Sequence, residues 1–286
     1  MTENETDLDH SASLPERPRR RSSMPILVLA ILFASATFLT WYFTWFGREL
    51  SDADISRYLA DEKHPRHVQH ALLQLQERLE KHDPGARQWY PKIIELSLNA
   101  EPEFRLTAAW AMGFDNQSNE FHQALTNLLR DGEPLVRRNA ALALVRFNDP
   151  AGREVLLATL EPYPVRAPTA GMVSSTLGQG SIVSRGTLLA RIAGPDNSAS
   201  EVRSPLPGRI NKIAAANGSA LASGEAILLI DSDENSIWEA LRGLALIGRA
   251  EDLSEVERYA RGVDSLPERI KEQAALTAKA IQSRIN

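Results

Sequence analysis

The feature that most constrains the fold is a short segment that occurs twice in close succession. Residues 165–171 read Val-Arg-Ala-Pro-Thr-Ala-Gly, and residues 202–208 read Val-Arg-Ser-Pro-Leu-Pro-Gly. Each copy continues with glycines and apolar residues at matching positions: Gly180, Val183, Gly186 and Ile192 correspond to Gly218, Leu221, Gly224 and Ile230. Such internal similarity predicts two copies of one β-unit packed on each other.

This paired pattern resembles the biotinyl/lipoyl domain, a small flattened barrel of two interlocked half-motifs that also occurs in the periplasmic adaptor proteins of efflux pumps. The resemblance implies a β barrel-sandwich hybrid over residues 162–231. It also implies three uses, namely a swinging carrier arm, an adaptor bearing a helical hairpin, and a docking module without a cofactor. The fold by itself does not choose among them.

The turn between the two copies discriminates among these uses. Carriers of this family present a lysine there, because the cofactor is attached through an amide to its amine. Residues 192–201 contain no lysine, and the single lysine of the module is Lys212, which lies in the second copy. The turn has the length of an ordinary connection rather than of a helical hairpin. We therefore expect a docking module with no cofactor and no covalent lipoate or biotin.

A second feature is an apolar segment near the N-terminus. Residues 22–47 carry no charged side chain, and a helix of about 20 apolar residues is long enough to span a bilayer. The sequence therefore predicts a transmembrane helix at residues 24–46. The alternative is a cleaved signal peptide, with Ala34-Ser35-Ala36 as the small-residue cleavage site.

The charges and aromatic residues around this segment predict its orientation. Arg17, Arg19, Arg20 and Arg21 precede it, and positive residues favour the cytoplasmic side. Tryptophan, tyrosine and phenylalanine crowd its far end, as expected at a membrane interface. We expect a disordered cytoplasmic tail at residues 1–23, a single pass through the inner (cytoplasmic) membrane, and C-terminal domains on the extracytoplasmic, periplasmic side.

After a predicted linker at residues 47–64, the apolar period becomes that of helices. Residues 101–105, Glu-Pro-Glu-Phe-Arg, recur 32 residues later as Glu-Pro-Leu-Val-Arg, and each is followed by a pair of alanines. This pattern resembles HEAT repeats over residues 65–161. A single repeat of this kind cannot bury its apolar face, so several must stack, and the stack offers an extended surface suited to binding protein.

Helical patterns resume at residues 232–286, and residues 240–248 again resemble a HEAT repeat. We therefore predict a multidomain α + β protein, in which an α-solenoid of HEAT-like helical repeats carries an inserted small β barrel-sandwich hybrid behind one N-terminal transmembrane helix. Insertion is favoured because apolar faces lie unpaired on both sides of the β module, where the two ends of an inserted domain come close together. The alternative is three domains strung along the chain.

Composition excludes several classes of function. The chain of 286 residues has no cysteine, which removes disulfides, thiolate chemistry and cysteine metal sites. Its formal net charge of −5 provides no basic footprint for nucleic acid. The sequence also lacks a phosphate-binding loop and a nucleophile elbow. We expect no enzymatic activity and no nucleic-acid partner.

Histidines at the start of the first solenoid helix raise the question of a metal site. His67 and His70, with a carboxylate such as Asp61 or Glu62, have side chains that bind metals. Helices that bind metals more often space histidines by four, and His64 precedes a proline, which disfavours helical geometry there. The sequence therefore favours a solvated first helical turn over a metal site.

The resulting hypothesis is a membrane-anchored extracytoplasmic scaffold or docking protein that binds other proteins, as partners in a membrane complex, through the helical solenoid and the unmodified lipoyl-like barrel. Residues 163–231 contain six basic and four acidic residues in an acidic chain, which indicates a face for an acidic partner or for lipid headgroups. The alternative role of these arginines is to solvate the module. The candidate partner-binding residues are Arg166, Arg203, Arg209, Arg137 and Arg138.

Three other functions remain as alternatives. The chain is consistent with a periplasmic adaptor, or with an accessory subunit of an inner-membrane transport or respiratory complex. Some bacterial HEAT-like proteins are bilin lyases, and the embedded β module and the predicted anchor are both foreign to that pattern.

Overall fold

A computed structural model describes residues 24–45, 49–194, 198–263 and 266–285. The chain divides into two compact units, Met1–Glu49 and Leu50–Asn286. The predicted cytoplasmic tail and its arginine cluster lie outside the described residues, as does the centre of the turn between the two copies of the β-unit.

The described residues of the first unit form helix α1, at Met24–Trp45. Its 22 residues include no charged side chain, and apolar side chains such as Phe33, which is 74% exposed, face outward. Side chains are described for residues 24–40 and for Tyr42, and over the described residues no helix is long and apolar enough to cross a membrane. The membrane anchor therefore stays a prediction.

The second unit begins with a helix inside the predicted linker. Helix α2 spans Asp52–Leu59, and the Ser51 hydroxyl accepts a hydrogen bond from the Asp54 N–H to cap it. Ile55 and Leu59, four residues apart, are buried against the next helix. A short helix therefore lies inside the predicted linker, because one apolar pair is enough to hold it on the core, and the linker boundaries at residues 47–64 stay a prediction.

Nine further helices follow α2 among the described residues. They are α3 (Pro65–Glu80), α4 (Tyr90–Leu96), α5 (Pro102–Met112), α6 (Asn119–Leu128), α7 (Pro134–Arg146), α8 (Arg153–Leu160), α9 (Glu234–Ile247), α10 (Leu253–Ala260) and α11 (Glu268–Ile285). Helices α3, α5 and α7 each begin with a proline, whose missing N–H costs nothing in the first turn.

These helices stack as a solenoid. Helices α3, α5, α7, α9 and α11 pack in chain order, each against the next, while α6 packs between α5 and α7 and α8 packs between α7 and α9. The 32-residue register appears at Arg105 and Arg137, whose Nη1 groups donate to the carbonyls six and five residues earlier in their own repeats. The predicted HEAT-like repeats are confirmed here.

Between α8 and α9 the residues that the structure describes form eight short strands. They are β1 (Tyr163–Arg166), β2 (Gly171–Thr176), β3 (Ile182–Val183), β4 (Leu188–Ala193), β5 (Ala199–Arg203), β6 (Gly208–Ile213), β7 (Ala220–Leu221) and β8 (Ala226–Ser232). They pair antiparallel as two sheets of four, ordered β1-β8-β6-β3 and β5-β4-β2-β7. Side chains of both sheets share one apolar core. Among the described strands no ladder joins the two sheets, so they pack as two separate sheets, and the closed barrel implied by the resemblance stays a prediction.

The two sequence copies interlock through their glycine turns. Gly186 and its counterpart Gly224 have φ values of 83° and 86°, a region that glycine enters at no steric cost. The Gly186 N–H donates to the Ser204 carbonyl at 2.7 Å, and the Gly224 N–H donates to the Ala167 carbonyl at 2.8 Å. Each turn is therefore held by the other copy, since Ser204 and Ala167 are also counterparts.

The helices on either side of the sheets share one core. Leu156 and Leu160 of α8 lie in the same buried cluster as Ile237 and Leu241 of α9. A Cβ atom added to Gly243 would lie 2.6 Å from Leu156 Cδ1, so α8 and α9 approach closely. The chain thus leaves the helical stack after α8 and rejoins it beside α8.

Candidate functional site

The five predicted arginines line three separate clefts of the second unit. The edge groove, about 500 Å³, lies between strands β1 and β5 and contains Arg166 and Arg203. The C-terminal cleft, about 400 Å³, contains Arg209. The junction cleft, about 260 Å³, lies where α7 and α8 meet the sheets and contains Arg137 and Arg138. Arg166 and Arg203, which occupy equivalent positions in the two sequence copies, thus lie in the same groove.

In the edge groove both arginines are engaged within the protein. Arg166 Nη1 donates to the carbonyl of Gly224 at 3.0 Å, and Arg203 Nη1 donates to the carbonyl of Gly186 at 2.9 Å. Each arginine therefore braces the glycine turn of the other copy. Hydrogen bonds from Arg191 and Arg203 hold the pKa of Glu201 below its usual range, so part of the positive charge in the groove is paired.

Charge in the C-terminal cleft is mixed. Arg209 is exposed on β6 and faces Asp231 of β8 in the strand register. Arg258 and Arg269 line the same cleft together with Asp231 and Asp233. This balance of charges favours no anion or cation.

The repeat before the junction cleft contains an arginine–carboxylate pair with which the arginines of the cleft can be compared. The Arg105 guanidinium forms two parallel hydrogen bonds to the Asp131 carboxylate, at 2.7 and 2.9 Å, and both side chains are largely buried. Asp131 belongs to the next repeat, so the ion pair ties successive repeats together. Burial opposes ionisation of Asp131, but the hydrogen bonds from Arg105 and from the Glu133 N–H outweigh it and lower the pKa of this carboxyl.

Arg137 is the counterpart of Arg105 and lacks the corresponding acid. The position 32 residues after Asp131 is Tyr163, the first residue of β1, because the sheets begin where the next repeat would supply its carboxylate. Arg137 Nη1 bonds the Asp131 and Gly132 carbonyls, and no carboxylate among the described residues pairs with it. Arg137 and Tyr163 both line the junction cleft.

Arg138 lies beside Arg137 in the same cleft and is incompletely satisfied. Its Nη1 donates to the hydroxyl of Ser236, at the start of α9. Its Nε is buried and has no hydrogen-bond partner within the described part of the protein. Such unpaired buried donors are rare in native proteins and call for an explanation. Leu129, Val155 and Leu206 supply apolar walls of the same cleft.

Several residues of this cleft were missed from the sequence. Tyr163 could have been found, because the 32-residue offset leads to it from Asp131. Ser236 carried no signal, since its contact with Arg138 joins residues 98 positions apart. Glu154, an exposed residue of α8, is the one carboxylate among the residues that line the cleft.

A separate cluster forms at the start of α3. One potential ligand atom each from Asp61, His64 and His67 lie within 4.8 Å of one another. His70 instead contacts Gln74, with their Nε2 atoms 3.1 Å apart, and Glu62 pairs with Lys92 and Asn99. The structure thus brings together a different set from the histidine pair and carboxylate considered in the sequence.

The family model for HEAT repeats matches residues 90–172. This range covers α4 to α8 and extends into β2. It matches less than half of the chain, so it identifies a HEAT-like part and supports a protein-interaction scaffold in general terms. No curated protein has a significant match to this chain.

Among solved structures, 22 chains match significantly. One is described as "Structure and function of a single-chain, multi-domain long-chain acyl-coa carboxylase", with 19% sequence identity and a TM-score of 0.24. The match covers 41% of this chain and 12% of that chain. The match thus spans only a small part of that protein, and a similarity this weak carries no functional argument.

Proposed function

We propose that this protein is a membrane-anchored, non-enzymatic scaffold that holds an acidic segment of a partner protein in the junction cleft. The carrying observation is the pair Arg137 and Arg138, adjacent in one cleft, which within the described part of the chain have no carboxylate partner and include a buried Arg138 Nε with no acceptor. A glutamate or aspartate side chain of the partner would supply both the missing carboxylate and the acceptor for Arg138 Nε. Guanidinium groups suit this task because they bind carboxylates through paired, charge-assisted hydrogen bonds.

The solenoid itself supports a protein partner over a small anion. Arg105 is paired with the Asp131 carboxylate, which belongs to the next helical repeat. Arg137 lacks the equivalent carboxylate, so a carboxylate carried by a polypeptide is the partner that this position would accept. A partner segment bound across α7 and α8 would continue the series of arginine–carboxylate pairs that stops at Arg137. The apolar walls of the cleft would cover the aliphatic parts of such a segment.

In this proposal the anchor is the apolar segment at residues 24–46, and the sheets are an unmodified, lipoyl-like docking module. The sequence supports this anchor, because residues 22–47 carry no charged side chain and about 20 apolar residues are enough to span a bilayer as a helix. The unit Leu50–Asn286 would lie on the extracytoplasmic, periplasmic side. A phosphatase fused after Asn286 should then be active there, and a mature chain beginning near Thr37 would refute the anchor.

The cleft is tested by site-specific photo-crosslinking in native membranes. A photoreactive residue at Ala158, exposed on the rim, should capture a discrete partner, whereas one at the exposed Glu80 of α3 should not. Replacing both Arg137 and Arg138 by Ser should abolish the Ala158 adduct, and the control change Arg130→Ser, at an exposed position in the turn after α6, should preserve it. An unchanged adduct from a double variant with native circular dichroism would refute the acidic-segment proposal.

The absence of a carrier role is tested by mass. The intact protein should show no lipoyl or biotinyl addition, and Lys212→Arg should leave partner capture unchanged. Detection of either cofactor on Lys212 would overturn the docking-module proposal.

A further inference from the structure

We propose that Asp61, His64 and His67 form a surface site for a divalent transition-metal ion such as Zn²⁺. His64 Nδ1 lies 2.9 Å from each Asp61 carboxylate oxygen, and His67 Nδ1 lies 2.7 Å from Asp61 Oδ2. Two imidazoles therefore converge on one carboxylate through the same ring nitrogen. Imidazole nitrogen and carboxylate oxygen are ligand atoms that Zn²⁺ accepts at about 2.0–2.2 Å.

The backbone places these three side chains independently of any metal. Asp61 follows the last turn of α2, and the His64 N–H donates to the Asp61 carbonyl at 3.0 Å. The His67 N–H donates to the His64 carbonyl at 2.8 Å, and Pro65 begins α3 directly after His64. Tyr58 stacks on the His67 ring with centroids 4.5 Å apart. Such preorganisation lowers the entropy cost of ordering metal ligands.

The distances from the two histidines to Asp61 are close to those of a tetrahedral ion, and the three ligand atoms all lie within 4.8 Å of one another. Ligand atoms about 2.0 Å from a tetrahedral centre are about 3.3 Å from one another, slightly farther apart than the observed hydrogen-bond distances. A metal would replace the two imidazole–carboxylate hydrogen bonds, and each neutral imidazole would then carry its proton on Nε2. The His64 side chain is 66% exposed, so water can exchange that proton and can complete the coordination.

The other two histidine–carboxylate contacts between described residues show what is unusual here. His82 contacts Asp115 and His122 contacts Asp149, each with a single imidazole. Asp115 and Asp149 also accept hydrogen bonds from the backbone N–H groups two residues onward, so each of these carboxylates stabilises the turn that follows it. The Asp61 carboxylate accepts no backbone N–H among the described residues and instead receives both imidazoles, which is the arrangement a metal site requires.

The experiment measures metal binding by the full-length protein in detergent after removal of metal with a chelator. Titration with Co²⁺ should give one equivalent with visible absorption, and Zn²⁺ should displace it. Asp61→Asn and His64→Ala should each weaken Zn²⁺ binding by at least about tenfold, while the control His122→Gln should leave it unchanged.

Two readouts keep this test decisive. Circular dichroism checks that each variant is folded, and His64→Ala removes an exposed side chain whose loss the fold tolerates. If the folded wild-type protein shows no saturable binding of Co²⁺ or Zn²⁺, the proposal is wrong. It is equally wrong if binding survives in both Asp61→Asn and His64→Ala, because the ion then lies elsewhere.

Discussion

At the scale of single residues, the Arg105–Asp131 ion pair contributes to the free energy of unfolding, because it joins two successive repeats. Asp131→Asn should lower the free energy of unfolding at pH 7 by about 2–4 kcal/mol, because Arg105 then keeps a largely buried charge without its counter-ion. The pKa of Asp131 is lowered in the folded protein. The contribution of the pair is therefore present above the unfolded pKa of about 3.9 and is lost as the pH falls through the lower folded value.

Urea unfolding of the full-length protein across the pH range checks this. The difference between wild type and Asp131→Asn should be constant between about pH 5 and 8 and should shrink below about pH 4. Glu77→Gln, which breaks an exposed pair with Lys81 on the surface of α3, should have no measurable effect. A pH-independent difference for Asp131→Asn would show that its ionisation is not what stabilises the repeat contact.

At the scale of elements, the turns of the sheet sandwich depend on backbone conformation. Gly186 and Gly178 both have open space where a Cβ would be, but only Gly186 has a positive φ. Gly186→Ala should destabilise the protein by about 1–2 kcal/mol, whereas Gly178→Ala should be neutral or slightly stabilising. Thermal unfolding followed by circular dichroism distinguishes them, and equal midpoints would mean that the interlocked turns do not need glycine.

The helices depend instead on close packing. Ala141 on α7 is fully buried, and a Cβ added to Gly152 would lie 2.6 Å from its Cα. Ala141→Glu should cost more than about 3 kcal/mol, since it places an unpaired charge in an interface with no room. Glu133→Ala should cost little, because the Glu133 side chain makes no capping hydrogen bond. Similar unfolding midpoints in the two variants would refute the assigned solenoid face.

At the scale of the molecule, the inserted sheets leave the helical stack continuous. Arg153 of α8 donates to both oxygens of the buried Asp252 carboxylate, just before α10, at 2.8 and 2.6 Å. Asp252→Asn should therefore reduce amide protection in α8 as well as in α10 when hydrogen exchange is measured by mass spectrometry. Glu251→Gln, whose carboxylate is mostly exposed, should change neither, and loss of protection confined to α10 would mean that the two flanks open independently.

The sequence by itself determined the elements that depend on neighbours along the chain. Prolines before apolar stripes and the 32-residue offset predicted the HEAT-like helices, and the glycine spacing of the two copies predicted matching turns. Such patterns work because helix starts, turn conformations and amphipathic faces are set within a few residues. The same local reasoning did not find α2, where a single apolar pair carries too weak a period to be distinguished from a linker.

Only the tertiary structure decided what the polar side chains do. It joined Arg138 to Ser236 across the insertion and left its Nε without an acceptor. It also directed Arg166 and Arg203 onto carbonyls of the opposite copy. It brought the Asp61 carboxylate to two histidines, of which His64 precedes the first turn of α3. The physical reason is that a long polar side chain reaches partners distant in sequence, and which partner it finds depends on how the elements pack.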